Sequence, residues 1–279
     1  MATHLPVIGG HAEGFGKTYR TDGWWKGPAL TFFVFSTFVV YTTWAALQGN
    51  HYYVEPYLSP FYSPVLFNDP SVVGAAPHSW FGGFPSFIPR WIPGALSPAI
   101  YILVFPGSFR FTCYYYRKAY YRSFAGSPPG CAVGPLAGKK KYRGETFLLL
   151  FQNLHRFAMY FALIFIVLLS KDAIEAFFKN GKFGVGVGSL ILTINVVLIA
   201  SYTFGCHSFR HLIGGRKDCM SACGKPTATL GSWKKATWFN ERHMQFAWAS
   251  LLWVMITDVY VRLLSMGVIT DLNTWRDRI

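Results

Sequence analysis

An all-α membrane protein is the fold class this sequence predicts: a bundle of five transmembrane helices with a cytoplasmic N-terminus and an aromatic, proline-rich outer cap. Three observations predict it. Of 279 residues, 52% are hydrophobic and only 14% charged, against roughly a quarter charged in ordinary globular chains. The chain carries 26 Phe, 16 Tyr and 10 Trp, side chains suited to hydrocarbon and to its headgroup borders. Its basic residues fall unevenly between apolar runs, which is how a topology signal looks. A formal net charge of +14 would otherwise suggest nucleic acid, but that partner is excluded because the charge lies between spans and not along one folded face. Five cysteines are an odd number and form no secreted disulfide framework.

A hydrocarbon core of about 30 Å takes about 20 apolar residues in helical form. Met1–Lys26 contains no apolar signal-peptide core, so the first span, over 28–48, is expected to be the anchor. The outer cap, 49–94, holds eight Pro and eleven aromatics between Tyr52 and Trp91, a composition expected to lie on the outer leaflet. The second span, 96–120, contains Pro98, Pro106 and Arg110, and the prolines should kink it. A basic loop, 121–145, precedes the third span, 146–170, which contains Arg156. The fourth span, 184–210, is uncharged until Arg210. A second basic loop, 211–242, leads to the fifth span, 243–266, where Asp258 and Arg262 stand four residues apart as a local pair. Seventeen basic residues on the N-terminal side against six on the other place the N-terminus and both basic loops in the cytoplasm, with the chain multi-pass in the cell's plasma membrane.

That topology brings unusual residues to one depth. Cys113 closes the second span, His155 opens the third, Cys206 closes the fourth with His207 as its alternative, and His243 opens the fifth. Thiol and imidazole bind soft and borderline metals, and polar groups inside a membrane point to function. Two Cys and two His form the ligand set of a Rieske-type [2Fe-2S] cluster, with Cys113, His155, Cys206 and His243 as the metal ligands. An oxidised cluster of this type is neutral with neutral imidazoles, which suits a membrane. Arg110, Arg156, Arg210 and Arg242 lie beside these ligands, where positive charge favours the reduced cluster. Two rivals stay open: a haem b held by His155 and His243, and a zinc site on Cys206, His207, His211, Cys219 and Cys223. A transporter, with Arg110, Arg156, Asp258 and Arg262 lining a path, is a third alternative; the sequence has no internal repeat to favour it.

The runs FRFTCYYYRKAYYRSF (109–124), NLHRFAMYF (153–161), GCHSFRHLIGG (205–215) and NERHMQFAWASLLWVMITDVYVRLL (240–264) resemble the membrane-anchor, cytochrome b-like subunit of succinate dehydrogenase and fumarate reductase, in its large actinobacterial five-helix form. The resemblance implies a membrane-embedded Rieske-like cluster where many relatives carry haem. It also implies flavoprotein and iron-sulfur subunits docked on the cytoplasmic side, a further small membrane subunit as an open option, and electron delivery from succinate to menaquinone or ubiquinone. The chain has no glycine-rich dinucleotide fingerprint, so succinate oxidation itself belongs to a partner. A quinone needs an apolar slot with aromatic walls and one or two donors; Arg110, Tyr114, Arg156, Trp238 and Arg242 are the candidates for the surroundings of quinone or cluster.

Overall fold

The computed structural model describes residues 14–89, 91–92, 94–136, 145–214, 221–222, 225–226 and 228–275. Lys139, Lys140, Lys141, Arg143, Arg216, Lys217, Cys219 and Cys223, which the topology and zinc readings invoke, lie outside the described residues.

The described chain is mostly helical. Four helices are long and apolar enough to cross a membrane: α1 (Lys26–Gln48), the Leu150–Glu175 part of α4 (Glu145–Glu175), α5 (Val187–Phe204) and α8 (His243–Ser265). The second expected span is divided. It forms α2 (Pro98–Thr112), α3 (Tyr114–Ala119) and a π-helical turn, Tyr120–Phe124, instead of one helix over 96–120. Cys113 sits at the break with an extended backbone, ψ 136°. Two features weaken the helix leading into it: Pro106 removes a backbone donor, and the Thr112 hydroxyl donates to the Ser108 carbonyl one turn back at 2.8 Å. The fourth span likewise stops at Phe204, earlier than expected, and restarts as α6 (His207–Gly214). The third runs on to Glu175, whose carboxylate pairs with Lys171 one turn back at 2.7 Å. The loop expected over 211–242 contains a helix, α7 (Ala228–Glu241). Its mixed sequence, ATLGSWKKATWFNE, shows no clean apolar stripe from which to read it.

The largest buried face belongs to α8. His243, Ala247, Ser250, Leu251, Val254, Thr257, Asp258, Val261, Arg262 and Leu264 are buried, a three-and-four spacing that puts them on one side of the helix. Ala45 is the one buried residue of α1; that helix is peripheral, with Phe32, Phe33, Val39 and Val40 outward and Phe35 and Phe38 packed against the core. Short hairpins close one end of the bundle. Strands β1 (Tyr53–Val54) and β2 (Tyr57–Leu58) pair antiparallel, and β3 (Phe178–Lys179) pairs with β4 (Lys182–Phe183). Asn180 and Gly181 join the second pair at φ 51° and 73°, the positive-φ turn that an Asn-Gly pair favours. A third hairpin, β5 (Ser221–Ala222) with β6 (Lys225–Pro226), precedes α7.

Part of the segment 49–94 packs into the bundle. Tyr52, Tyr57, Phe61 and Tyr62 are buried, whereas Trp80, Phe81, Phe87 and Trp91 are exposed. Tyr52 and Tyr62 stack at 4.2 Å, and the Tyr62 hydroxyl donates to the Ala45 carbonyl at 2.6 Å. The Tyr57 hydroxyl donates to Asp271 at 2.7 Å; burial and that carboxylate push the phenol well above its ordinary range. Asp271 also accepts the Gly188 N–H at 3.0 Å, placing negative charge on the first turn of α5. These bonds tie the outer segment and the C-terminal turn to the bundle.

Candidate redox centre

The two interrupted helices, α4 and the start of α8 bring four donors together. Cys113 lies at the α2–α3 break, His155 on α4, Cys206 at the α5–α6 break, and His243 opens α8. Their exposures are 1%, 9%, 2% and 4%, so water is excluded from all four. His155 Nε2 is 3.1 Å from Cys206 Sγ, and Cys113 Sγ is 3.9 Å from His243 Nε2. Cys113 is within electrostatic reach of Cys206, and His243 of His155. Both cysteines are free. Among the described residues no group of three or more His, Cys, Asp and Glu forms a single-ion site; the donors stand as two thiol–imidazole pairs. Cys206 points inward and His207 is exposed, because the α5–α6 break turns only one of two adjacent side chains toward the centre.

The surroundings hold the imidazoles in place. Phe109 stacks on His155 at 4.5 Å and Tyr202 on His243 at 4.9 Å. The Thr112 hydroxyl, having donated to Ser108, is left to accept from His155 Nδ1–H at 2.9 Å, which leaves Nε2 as the lone-pair nitrogen facing the thiol. His243 Nδ1 is buried with no hydrogen-bond partner of full geometry, although the Tyr202 backbone is within electrostatic reach. Thr112, Phe109 and Tyr202 are absent from the sequence-level site. Phe109 and Tyr202 each precede a cysteine by four residues, a same-face spacing on a helix that carries the signal for them.

Gly205 lets these parts approach. A β-carbon there would lie 2.8 Å from the Phe239 carbonyl oxygen, 3.0 Å from that of Ser201 and 3.1 Å from His243 Nδ1. Gly205→Ala is therefore expected to destabilise the chain by about 1–3 kcal/mol through overpacking. Thermal unfolding of the detergent-purified protein measures it, and an unchanged midpoint would show that the junction yields without cost.

Beside the donors lies a cavity of about 300 Å³ with mostly aromatic and aliphatic walls, including Phe38, Phe109, Leu251, Arg110, Tyr116 and Tyr202. Arg110 donates to the Tyr116 hydroxyl at 2.7 Å and to Ser250 at 3.1 Å, and its guanidinium lies 5.0 Å from the Tyr202 ring centre. The Tyr202 hydroxyl is buried without a partner of full geometry and is directed toward Cys113. Of the five residues expected around quinone or cluster, Arg110 lines this cavity. Tyr114 and Arg156 are exposed, and Arg242 stacks over the exposed Trp238 at 4.3 Å. Arg210 stacks over Trp233 at 4.5 Å and donates to Asn240 at 3.2 Å.

At the other end of α8, the paired reading of Asp258 and Arg262 is met by a 3.4 Å ion pair. No transport path is needed to explain the two charges.

Residues 26–267 match the family described as actinobacterial succinate dehydrogenase subunit SdhC. A solved structure, the Mycobacterium smegmatis Sdh1 complex in the apo form, contains a chain 38% identical to this one, with a TM-score of 0.78 over 97% of this chain and 96% of that one. No curated protein sequence matches the chain. The family match spans α1 to the end of α8 and includes all four donors, so this chain belongs to the actinobacterial SdhC family of succinate dehydrogenase membrane-anchor subunits.

Proposed function

We propose that this chain carries electrons as well as anchoring: it docks the flavoprotein and iron-sulfur subunits of a succinate:quinone oxidoreductase on the cytoplasmic side and passes their electrons to membrane quinone. The interrupted α2–α3 segment counts as the fifth crossing in this reading, with the N-terminus inside and the chain in the plasma membrane. Arg210, Lys234, Lys235 and Arg242 then lie at the inner border, where basic charge attracts acidic partner surfaces.

One observation carries the proposal: four buried sulfur and nitrogen donors from well-separated parts of the chain come together as two thiol–imidazole pairs. Their chemistry fits a [2Fe-2S] centre of Rieske type held by Cys113, His155, Cys206 and His243, which when bound supplies one-electron redox chemistry. The donor set supports that fit: two free, buried thiols each face the Nε2 of a buried imidazole. A haem b bound by His155 and His243 needs an imidazole nitrogen from each aimed at one iron, whereas here each Nε2 faces a thiol sulfur. Zinc at Cys206 would draw on the exposed His207 and on Cys219 and Cys223.

The chain's own groups do the rest. Phe109, Thr112 and Tyr202 hold the imidazoles. The adjoining cavity offers an apolar slot for a menaquinone or ubiquinone ring, with the Arg110 guanidinium as donor to a quinone oxygen. Iron and acid-labile sulfide analysis of the purified complex, with low-temperature paramagnetic resonance, tests the reading. A rhombic signal typical of mixed Cys/His ligation is expected; a complex whose only iron belongs to its soluble subunits overturns it. Arg110→Gln is expected to lower succinate:quinone activity about 10- to 100-fold, as loss of a charged hydrogen bond worth about 1.5–3 kcal/mol implies. Succinate oxidation by an artificial dye, read on the same preparation, should stay unchanged.

A further inference from the structure

A second site lies on α3, one turn beyond Cys113. Arg117 is 6% exposed, and its Nε has no hydrogen-bond partner. No carboxylate among the described residues forms an ion pair with it; its contact is with the Phe151 ring, 5.9 Å away. A buried, unpaired guanidinium is costly, and a protein keeps one where an anion completes it. Arg117 lines a cavity of about 450 Å³ shared with Lys118, Arg122, Tyr114, Tyr121 and Gln152, and no Asp or Glu is among its lining residues. Three cations, two phenol hydroxyls and an amide present donors to one space, with no carboxylate among the described lining residues.

The place of the cavity selects the kind of anion. It opens at the level where α3 and the π-helical turn leave the membrane-spanning part of the chain. Below it, Phe151 touches Phe111 at 5.7 Å, and Phe111, Leu154 and Phe157 are exposed apolar side chains on the flank of α2 and α4. Leu154 follows Phe151 by three residues, so these groups form one continuous greasy face. A charged cup above an outward apolar face matches an anionic phospholipid, with the phosphate in the cup and acyl chains along the helices. A protein carboxylate would use the cup and leave the apolar face unexplained.

We infer that Arg117, Lys118 and Arg122 form a binding site for the phosphate of one anionic phospholipid at the cytoplasmic border. Arg117 is the central ligand, because it is the most buried of the three cations. Lys118 and Arg122 sit at i+1 and i+5 from it, on the same short helical stretch, and supply the outer ring of charge.

The test uses the whole complex purified in mild detergent. Lipid extraction and native mass spectrometry should find an anionic phospholipid retained by wild type and lost in Arg117→Gln. The more exposed Arg122→Gln, which leaves the buried position intact, should weaken retention without impairing folding. Delipidated wild type is then offered vesicles of phosphatidylglycerol, vesicles of phosphatidylcholine, or inorganic phosphate alone. Raised thermal stability with phosphatidylglycerol only, absent in Arg117→Gln, is the expected result. Equal protection by inorganic phosphate would make the site one for a soluble anion and overturn the lipid assignment. Undiminished lipid retention in both variants would overturn the site. So would loss of the iron-sulfur subunit with lipid retained, which would make Arg117 a subunit contact.

Discussion

His243→Ala and Cys206→Ser are each expected to abolish the rhombic paramagnetic signal of the assembled complex while leaving succinate oxidation by dye intact. Both donors are almost wholly buried, at 4% and 2% exposed, and each comes from a separate helical break, so no neighbouring side chain can take over. His207, the next residue to Cys206, is exposed and cannot substitute without turning the α5–α6 junction. Thr112→Val is the graded companion. It removes the acceptor 2.9 Å from His155 Nδ1 but no ligand, so the signal should persist with a shifted midpoint potential, the usual result of losing a partner that orients a metal-bound imidazole. A merely structural Thr112 would leave the potential where it was. Persistence of the wild-type signal in both ligand variants would remove the chemical basis of the electron-transfer role and leave the chain an anchor alone.

Asp258→Asn is expected to destabilise the chain by about 3–5 kcal/mol, the range for removing one partner of a buried ion pair. Asp258 is fully buried and Arg262 nearly so. The carboxylate accepts the Tyr41 hydroxyl at 2.6 Å and the Ser59 hydroxyl as well as Arg262 Nε. Arg262 donates in turn to the Asn50 carbonyl at 3.0 Å and lies over the Trp44 ring at 5.1 Å. This network joins α1, the outer segment and α8, and removing the carboxylate strands a guanidinium among carbonyls and aromatic rings. The paired replacement Asp258→Asn with Arg262→Met should cost less than the sum of the single changes, because it leaves no orphan charge. Thermal unfolding in detergent measures all three. The paramagnetic signal should be unaffected below the transition, since the pair lies at the opposite end of α8 from His243. A single Asp258→Asn variant as stable as wild type would show that the pair contributes nothing.

The four long spans and the Cys and His positions that the fold brings into pairs were legible because both depend on local chemistry. A run such as Thr31–Leu47 without charge can satisfy its backbone in hydrocarbon only as a helix, and thiol and imidazole are rare enough at span ends to be noticed. The breaks at Cys113 and Gly205–Cys206 were not legible. Each lies in an apolar context that reads as continuous helix, and each is stabilised by contacts made only on folding: Thr112 with Ser108 and His155, and Asn240 Nδ2 with the Gly205 carbonyl at 2.8 Å. Helix α7 was missed because its apolar residues follow no stripe. The quinone-side candidates other than Arg110 went to the surface because a sequence lists Arg and Tyr without saying which way a helix is turned.

By itself, then, the sequence determined that this is a membrane bundle and which residue types could bind a cofactor, since hydropathy, charge placement and donor chemistry are properties of residues taken one at a time. Only the tertiary structure decided that Cys206 and not His207 faces inward, that Tyr202 and Thr112 flank the imidazoles, and that Arg117 is buried without a partner. Those are matters of rotation about helix axes and of distance between segments tens of residues apart. Both are set by how the helices pack against one another, which no local pattern encodes.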